Sequence, residues 1–67
     1  MNKELFKYHA AKNRDTMRDV AEILNIYPQT LSARLNGRYG KFSLDNIAIL
    51  RERWHLTAEQ CAEIFLD

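Results

Sequence analysis

Residues 16–37, Thr16-Met17-Arg18-Asp19-Val20-Ala21-Glu22-Ile23-Leu24-Asn25-Ile26-Tyr27-Pro28-Gln29-Thr30-Leu31-Ser32-Ala33-Arg34-Leu35-Asn36-Gly37, read as two short helices joined by a tight turn. Thr16 is placed to cap the first helix, because its hydroxyl can accept a bond from a backbone N–H that has no partner inside the helix. Asp19, three residues on, can reach back and close a capping box, where Glu or Gln is the usual partner. Val20, Ala21, Ile23 and Leu24 then supply apolar contacts at helical spacing. Ala21 matters for its size, since two helices that cross steeply need a small side chain where they come closest.

Asn25 follows the last apolar pair and suits the position just past a helix, where the backbone turns left-handed and Asn is the most tolerant residue after Gly. Ile26 can fill the angle between the helices. Pro28 fits the first position of the second helix, because its missing N–H costs nothing there and its φ is already set. That helix is predicted to run to about Asn36, with Gly37 stopping it. Cap, small residue, left-handed turn, proline start and glycine stop together spell a helix-turn-helix.

The same residues resemble the helix-turn-helix of the Cro- and lambda-repressor-like family of phage and bacterial regulators. The likeness rests on Ala21, on Leu24-Asn25-Ile26 at the turn, on Gln29-Thr30-Leu31-Ser32 opening the second helix, and on Leu35-Asn36-Gly37 ending it. Phe42-Ser43-Leu44-Asp45, Leu56-Thr57-Ala58-Glu59-Gln60 and Ile64-Phe65 are similar to small prophage-type members, so the resemblance spans most of the chain beyond residue 15. Three positions depart from the family pattern. Met17 stands where Gln is common and has no amide to offer a phosphate. Asn25 replaces Gly, and Tyr27 replaces a capping Ser, at some expected loss of stability. The resemblance implies an all-α bundle of about five short helices and operator binding in the cytoplasm of a bacterial host. It also implies a homodimer on pseudo-palindromic double-stranded DNA, with half-sites ~34 Å apart. Since the chain shows no separate oligomerisation domain, dimerisation in free solution is expected to be weak.

A helical-wheel count of the second helix sets Leu31 and Leu35 toward Val20, Ala21 and Ile26. Gln29, Thr30, Ala33 and Asn36 point away, with Ser32 and Arg34 on the flanks. This outward face carries small or hydrogen-bonding side chains and no acid, which is what entry into a major groove requires. Gln29 can exchange a pair of bonds with adenine, Thr30 and Ser32 can bond a base edge or a phosphate, and Ala33 can touch a thymine methyl group. Thr16, Arg34 and Asn36 suit backbone oxygens. An ordinary solvated helix surface could have the same composition, so the face gains meaning from the motif around it.

Residues 1–15 are expected to begin with a short disordered tip, followed by a helix from about Lys3 to Asn13. Leu5, Phe6, Tyr8, His9 and Ala10 offer apolar surface on too many sides to name one stripe. His9 reads as a packing residue. Lys3, Lys7, Lys12 and Arg14 read as a solvated face, of which a subset near the start of the motif could sit beside phosphates. Residues 37–41, Gly-Arg-Tyr-Gly-Lys, form an irregular stretch in which Arg38 and Lys41 offer charge for backbone contact, and Tyr39 could donate to a phosphate or cover the core. A plain surface loop is the alternative. Ser43 should cap a further helix, with Phe42 and Ile47 spaced as a hydrophobic staple. Ile47, Leu50 and Trp54 share one face of it, and Ile49 points the opposite way, toward either the final helix or a dimer contact. Thr57 caps the last helix, Gln60 closes its box, Leu56 staples to Cys61, and Cys61, Ile64 and Phe65 line its apolar side.

Sixty-seven residues fit one small domain of modest stability. No run of about 20 apolar residues could span a bilayer, nothing resembles a signal peptide, and the lone Cys61 has no internal partner for a disulfide, all of which suit an intracellular protein. The net charge of +1 says little, but its distribution says more: residues 1–41 hold eight Lys/Arg against four Asp/Glu, and residues 42–67 hold two against five. The basic half includes the second motif helix. The acids Glu59, Glu63 and Asp67 make the other end unsuited to a duplex. No catalytic set is present, since His9, His55 and Cys61 are far apart in sequence and lack metal-ligand spacing, and no cofactor is implied. Glu59 and Glu63 lie at helical spacing on a solvated face. Two binding functions therefore stand: a sequence-specific DNA-binding regulator, or a protein-interaction module on the same fold, such as an anti-repressor, an antitoxin or a host-takeover component.

Overall fold

Five short helices make up the described residues, which are 1–38 and 41–66 of the computed structural model. They are α1 (Lys3–Lys12), α2 (Met17–Ile23), α3 (Pro28–Leu35), α4 (Leu44–Arg53) and α5 (Ala58–Phe65). None exceeds ten residues, and helices this short do not persist alone in water. Each therefore depends on its neighbours: α2 packs on α3, and α5 packs on both α1 and α4. The radius of gyration, 10.7 Å, is that of a well-packed domain of this length, about 11 Å.

Side chains start four of the helices. The Thr16 hydroxyl accepts from Asp19 N–H at 3.1 Å while the Thr16 N–H donates to Asp19 Oδ2 at 2.9 Å. Thr57 and Gln60 form the same reciprocal box on α5, and Ser43 Oγ accepts from Asn46 N–H on α4. The N-terminus is the exception to the sequence reading. In place of a disordered tip, Asn2 caps α1 by accepting from Leu5 N–H, and its own N–H donates to Ile64 O at 2.7 Å. Met1 packs against the core. A backbone bond to α5 thus ties down a segment that carries no periodic signal of its own.

The helix ends share one device. After α1, α2, α3 and α4 comes a residue with positive φ: Arg14 at 60°, Asn25 at 56°, Gly37 at 72° and His55 at 53°. In every case the next N–H reaches back to the third-last helical carbonyl, as Asp15 to Ala10, Ile26 to Ala21, Arg38 to Ala33 and Leu56 to Arg51, at 2.8–2.9 Å. These are Schellman closures. They bring the chain out of each helix at a fixed angle and return it to the core. Asn25 and Gly37 were expected in this role, whereas Arg14 and His55 adopt it against the steric preference of residues bearing a Cβ.

The core is centred on Phe6, which is fully buried. Its ring stacks on Phe42 at 5.5 Å and meets Trp54 and Phe65 edge-on at 5.2 and 6.1 Å. Phe6, His9 and Ala10 form the inward stripe of α1 that the sequence pattern left unresolved. Leu50 and Trp54 face inward from α4, whereas Ile49 remains 41% exposed, so α5 does not cover it. Cys61 is a half-buried free thiol packed against the core. Among the described residues no helix is long and apolar enough to cross a membrane.

One polar cluster closes the core. Asp15, in the turn after α1, is buried. It accepts two bonds from Arg53, at 2.8 Å each from Nε and Nη2, and a third from Trp54 Nε1 at 2.8 Å. The bonds from Arg53, then that from Trp54, hold the Asp15 carboxyl below its ordinary value of 3.8 against the opposing pull of burial. The ends of α1 and α4 are thereby fastened together.

Because Asp15 titrates lower when folded than when unfolded, its stabilisation is complete above the ordinary carboxylate value and is lost as pH falls through its folded value. Asp15→Ala should therefore flatten the acid side of the stability–pH curve. At neutral pH it should cost about 1–3 kcal/mol by stranding the Trp54 N–H, with a smaller loss in a Trp54→Phe background; urea titrations across pH 2–7 read both. His55→Gly should act in the opposite sense and stabilise by about 0.5–1 kcal/mol through relief of the left-handed φ, a rise of several degrees in thermal midpoint by circular dichroism. His55→Ala should give no such gain.

Candidate nucleic-acid interface

The candidate surface is built by the four-residue connection from α2 to α3. Leu24 caps α2, Asn25 turns left-handed, and Ile26 N–H bonds back to Ala21 O. Ile26 is half-buried against the core, so the turn is packed from beneath. Tyr27 then occupies the position before α3 with extended backbone and makes no side-chain cap, and Pro28 opens the helix. Met17 is half-buried and packed on the core.

On α3, Leu31 and Leu35 are buried. Gln29, Ser32, Ala33 and Asn36 fall at i, i+3, i+4 and i+7, a single face of a helix. Gln29, Ser32 and Asn36 are exposed and Ala33 is half-buried. Thr30 and Arg34 are half-buried on the flank of this face. Compared with the wheel count, Ser32 joins the exposed residues of the outward face and Thr30 moves to its half-buried edge. Pro28, Gln29, Ser32, Ala33 and Arg38 line a shallow open hollow. Arg38 joins it because its N–H is bonded to Ala33 O in the closure after α3. The structure thus brings Gln29, Ser32, Ala33 and Arg38 together, with no carboxylate among the lining residues.

The other proposed contacts are placed differently. Thr16 is exposed, and its oxygen already accepts the capping bond from Asp19; its hydroxyl hydrogen remains a donor. Arg34 donates from Nη1 to Asn46 Oδ1 at 3.1 Å, and its guanidinium lies 5.9 Å from the Phe42 ring centroid. It braces α3 against the start of α4 and uses one of five N–H donors to do so. The Asn36 amide is engaged at both ends, accepting from Lys3 Nζ at 2.9 Å and donating to Ser32 O at 2.9 Å. Lys41 is exposed. Tyr39 and Gly40 lie outside the described residues.

Lys3 and Asn46 are the partners that sequence reasoning missed. Lys3 is 33 residues from Asn36 and Asn46 is 12 from Arg34, separations at which no local pattern operates. The acidic residues Glu59 and Glu63 lie exposed on α5, which packs on α1 and α4, whereas α3 itself bears no acid. Among the described residues no group of three or more His, Cys, Asp or Glu side chains could hold a metal ion. Compared with protein-family models, with curated proteins and with solved structures, the chain matched none.

Proposed function

We propose that this chain is a sequence-specific double-stranded DNA-binding transcriptional regulator, a small repressor or Cro-like protein of the phage and prophage kind. In this reading α2, the turn and α3 form a helix-turn-helix, and α3 lies in the major groove. The observation that carries it is the division of α3 into a buried Leu31–Leu35 side and an outward side, free of acids, on which Gln29, Ser32 and Asn36 are exposed and Ala33 is half-buried. A helix that presents amide, hydroxyl and methyl groups on an uncovered face can approach base edges without steric or electrostatic penalty.

Gln29, in the first turn, reads adenine through its two-ended amide. Ser32 and Thr30 bond base edges or phosphate from the exposed face and its half-buried flank, and Ala33 admits close approach and meets a thymine methyl group. Arg38 and Lys41 neutralise phosphates beside the groove, Arg34 does so from the flank with its remaining donors, and Thr16 donates at the start of α2. The protein acts in the cytoplasm as a weak homodimer whose two copies reach half-sites about one helical turn apart, which makes the operator a pseudo-palindrome.

Two measurements test this. With Arg34, Arg38 and Lys41 of both copies on phosphate, affinity for a duplex selected from a random library should fall about a thousandfold between ~50 and ~200 mM salt. An affinity that is flat with salt would overturn the phosphate contacts and leave the protein-interaction module as the reading to test. Gln29→Ala should keep its helical circular dichroism and lose about 1–3 kcal/mol of discrimination at the base it reads. Undiminished preference for the selected sequence would remove Gln29 from the reading face.

A further inference from the structure

Asn36 shares a helical face with Gln29 at the opposite end of α3, so a polar group there would meet the duplex backbone as α3 leaves the groove. Its side chain is already committed. Lys3 has only N–H donors and a carbonyl oxygen can only accept, so the bonds to Lys3 Nζ and Ser32 O fix the amide in one orientation. Oδ1, which could only repel a phosphate, faces Lys3, and Nδ2 is spent on Ser32. The ammonium of Lys3 is therefore the group that this corner of the molecule presents, with two of its three N–H donors unused by Asn36.

Lys3 is held at this corner from both directions. It is the first residue of α1, whose start is fixed by the Asn2 cap and by the bond from Asn2 N–H to Ile64 O. A lysine usually loses considerable rotamer freedom on docking to a ligand. Here the Asn36 oxygen restricts the chain beforehand, and the cation also sits near the carbonyl end of α3, where positive charge is favoured.

We infer that Lys3 is a DNA-phosphate contact at the carboxyl end of α3, and that Asn36 is the positioning residue that aims it. This rests on the proposed DNA-binding function and changes the assignment of Asn36 within it. The interface then spans α3 from Gln29 to Asn36 and takes in the start of α1, an element far from the motif in sequence. Lys12, nine residues further along α1 and about 13 Å away, lies off this edge and serves as a control of equal charge.

The test compares wild type, Lys3→Gln, Lys12→Gln, Asn36→Ala and the Lys3→Gln/Asn36→Ala double variant on one duplex selected from a random library. Per bound copy, Lys3→Gln should lower the salt slope by about 0.9, so that the affinity loss is ~10-fold at ~50 mM and ~3-fold at ~200 mM salt. Lys12→Gln should change the slope by much less. Asn36→Ala should weaken binding of the wild type and add nothing in the Lys3→Gln background. An unchanged slope in Lys3→Gln, an equal change in Lys12→Gln, or a full further loss from Asn36→Ala in the double variant would each overturn the assignment while leaving DNA binding intact. Failure of the wild type to select or bind any duplex at low salt would overturn the underlying function and this contact with it.

Discussion

The ring of Phe6 is where the separate pieces of this chain become one body. Phe42, Trp54 and Phe65 meet it from the segment after α3, from the end of α4 and from α5. With helices of seven to ten residues, local hydrogen bonding cannot supply cooperativity. Removing apolar surface from water therefore has to do so, and aromatic rings supply the most surface per residue. Edge-on and offset contacts add direction to that burial. Phe6 projects from α1 into the site where the other three rings meet it.

Burial alone does not set the angles at which the helices leave one another. The repeated left-handed closure does, by returning the chain to the core after α1, α2, α3 and α4. After α1 the returning residue is Asp15, and its carboxylate fastens that turn to Arg53 and Trp54 at the end of α4. Two Schellman turns remote in sequence are so joined by a buried charge whose three bonds satisfy it. A buried carboxylate without such partners would be strongly unfavourable. The cluster thus favours this one arrangement of α1 against α4 over others that bury the same apolar surface.

Most of the fold was legible because its signals are local. Thr16, Ser43 and Thr57 announce helix starts within four residues, Pro28 and Gly37 mark a start and a stop, and the Leu31–Leu35 spacing names a buried side. The rest was illegible for the same reason. Asp15 has no neighbour in sequence that predicts Arg53, 38 positions away. Arg14 and His55 take backbone conformations that their side chains disfavour. Asn2 is held by α5, which no pattern near the N-terminus could indicate. At the candidate site the sequence located the exposed face of α3, since helical periodicity determines it. It could not show that Arg34 and Asn36 are already bonded within the chain, because both partners come from other elements.

The start of α3 breaks a rule that the other helix starts keep. Asn2, Thr16, Ser43 and Thr57 each lend a side-chain oxygen to a backbone N–H, whereas Tyr27 lends none and is 77% exposed. Pro28 limits the loss by removing one unpaired N–H and presetting φ, and Leu31 N–H to Tyr27 O closes the first turn. Stability given up at one terminus while the remaining termini are capped is the kind of local inconsistency that natural domains concentrate where they bind. It falls beside Gln29, at the end of a helix face that combines exposure, small polar side chains and the absence of acid. The missing cap and the exposed face converge on the same turn of helix, which is the turn that the proposed function sets against a duplex.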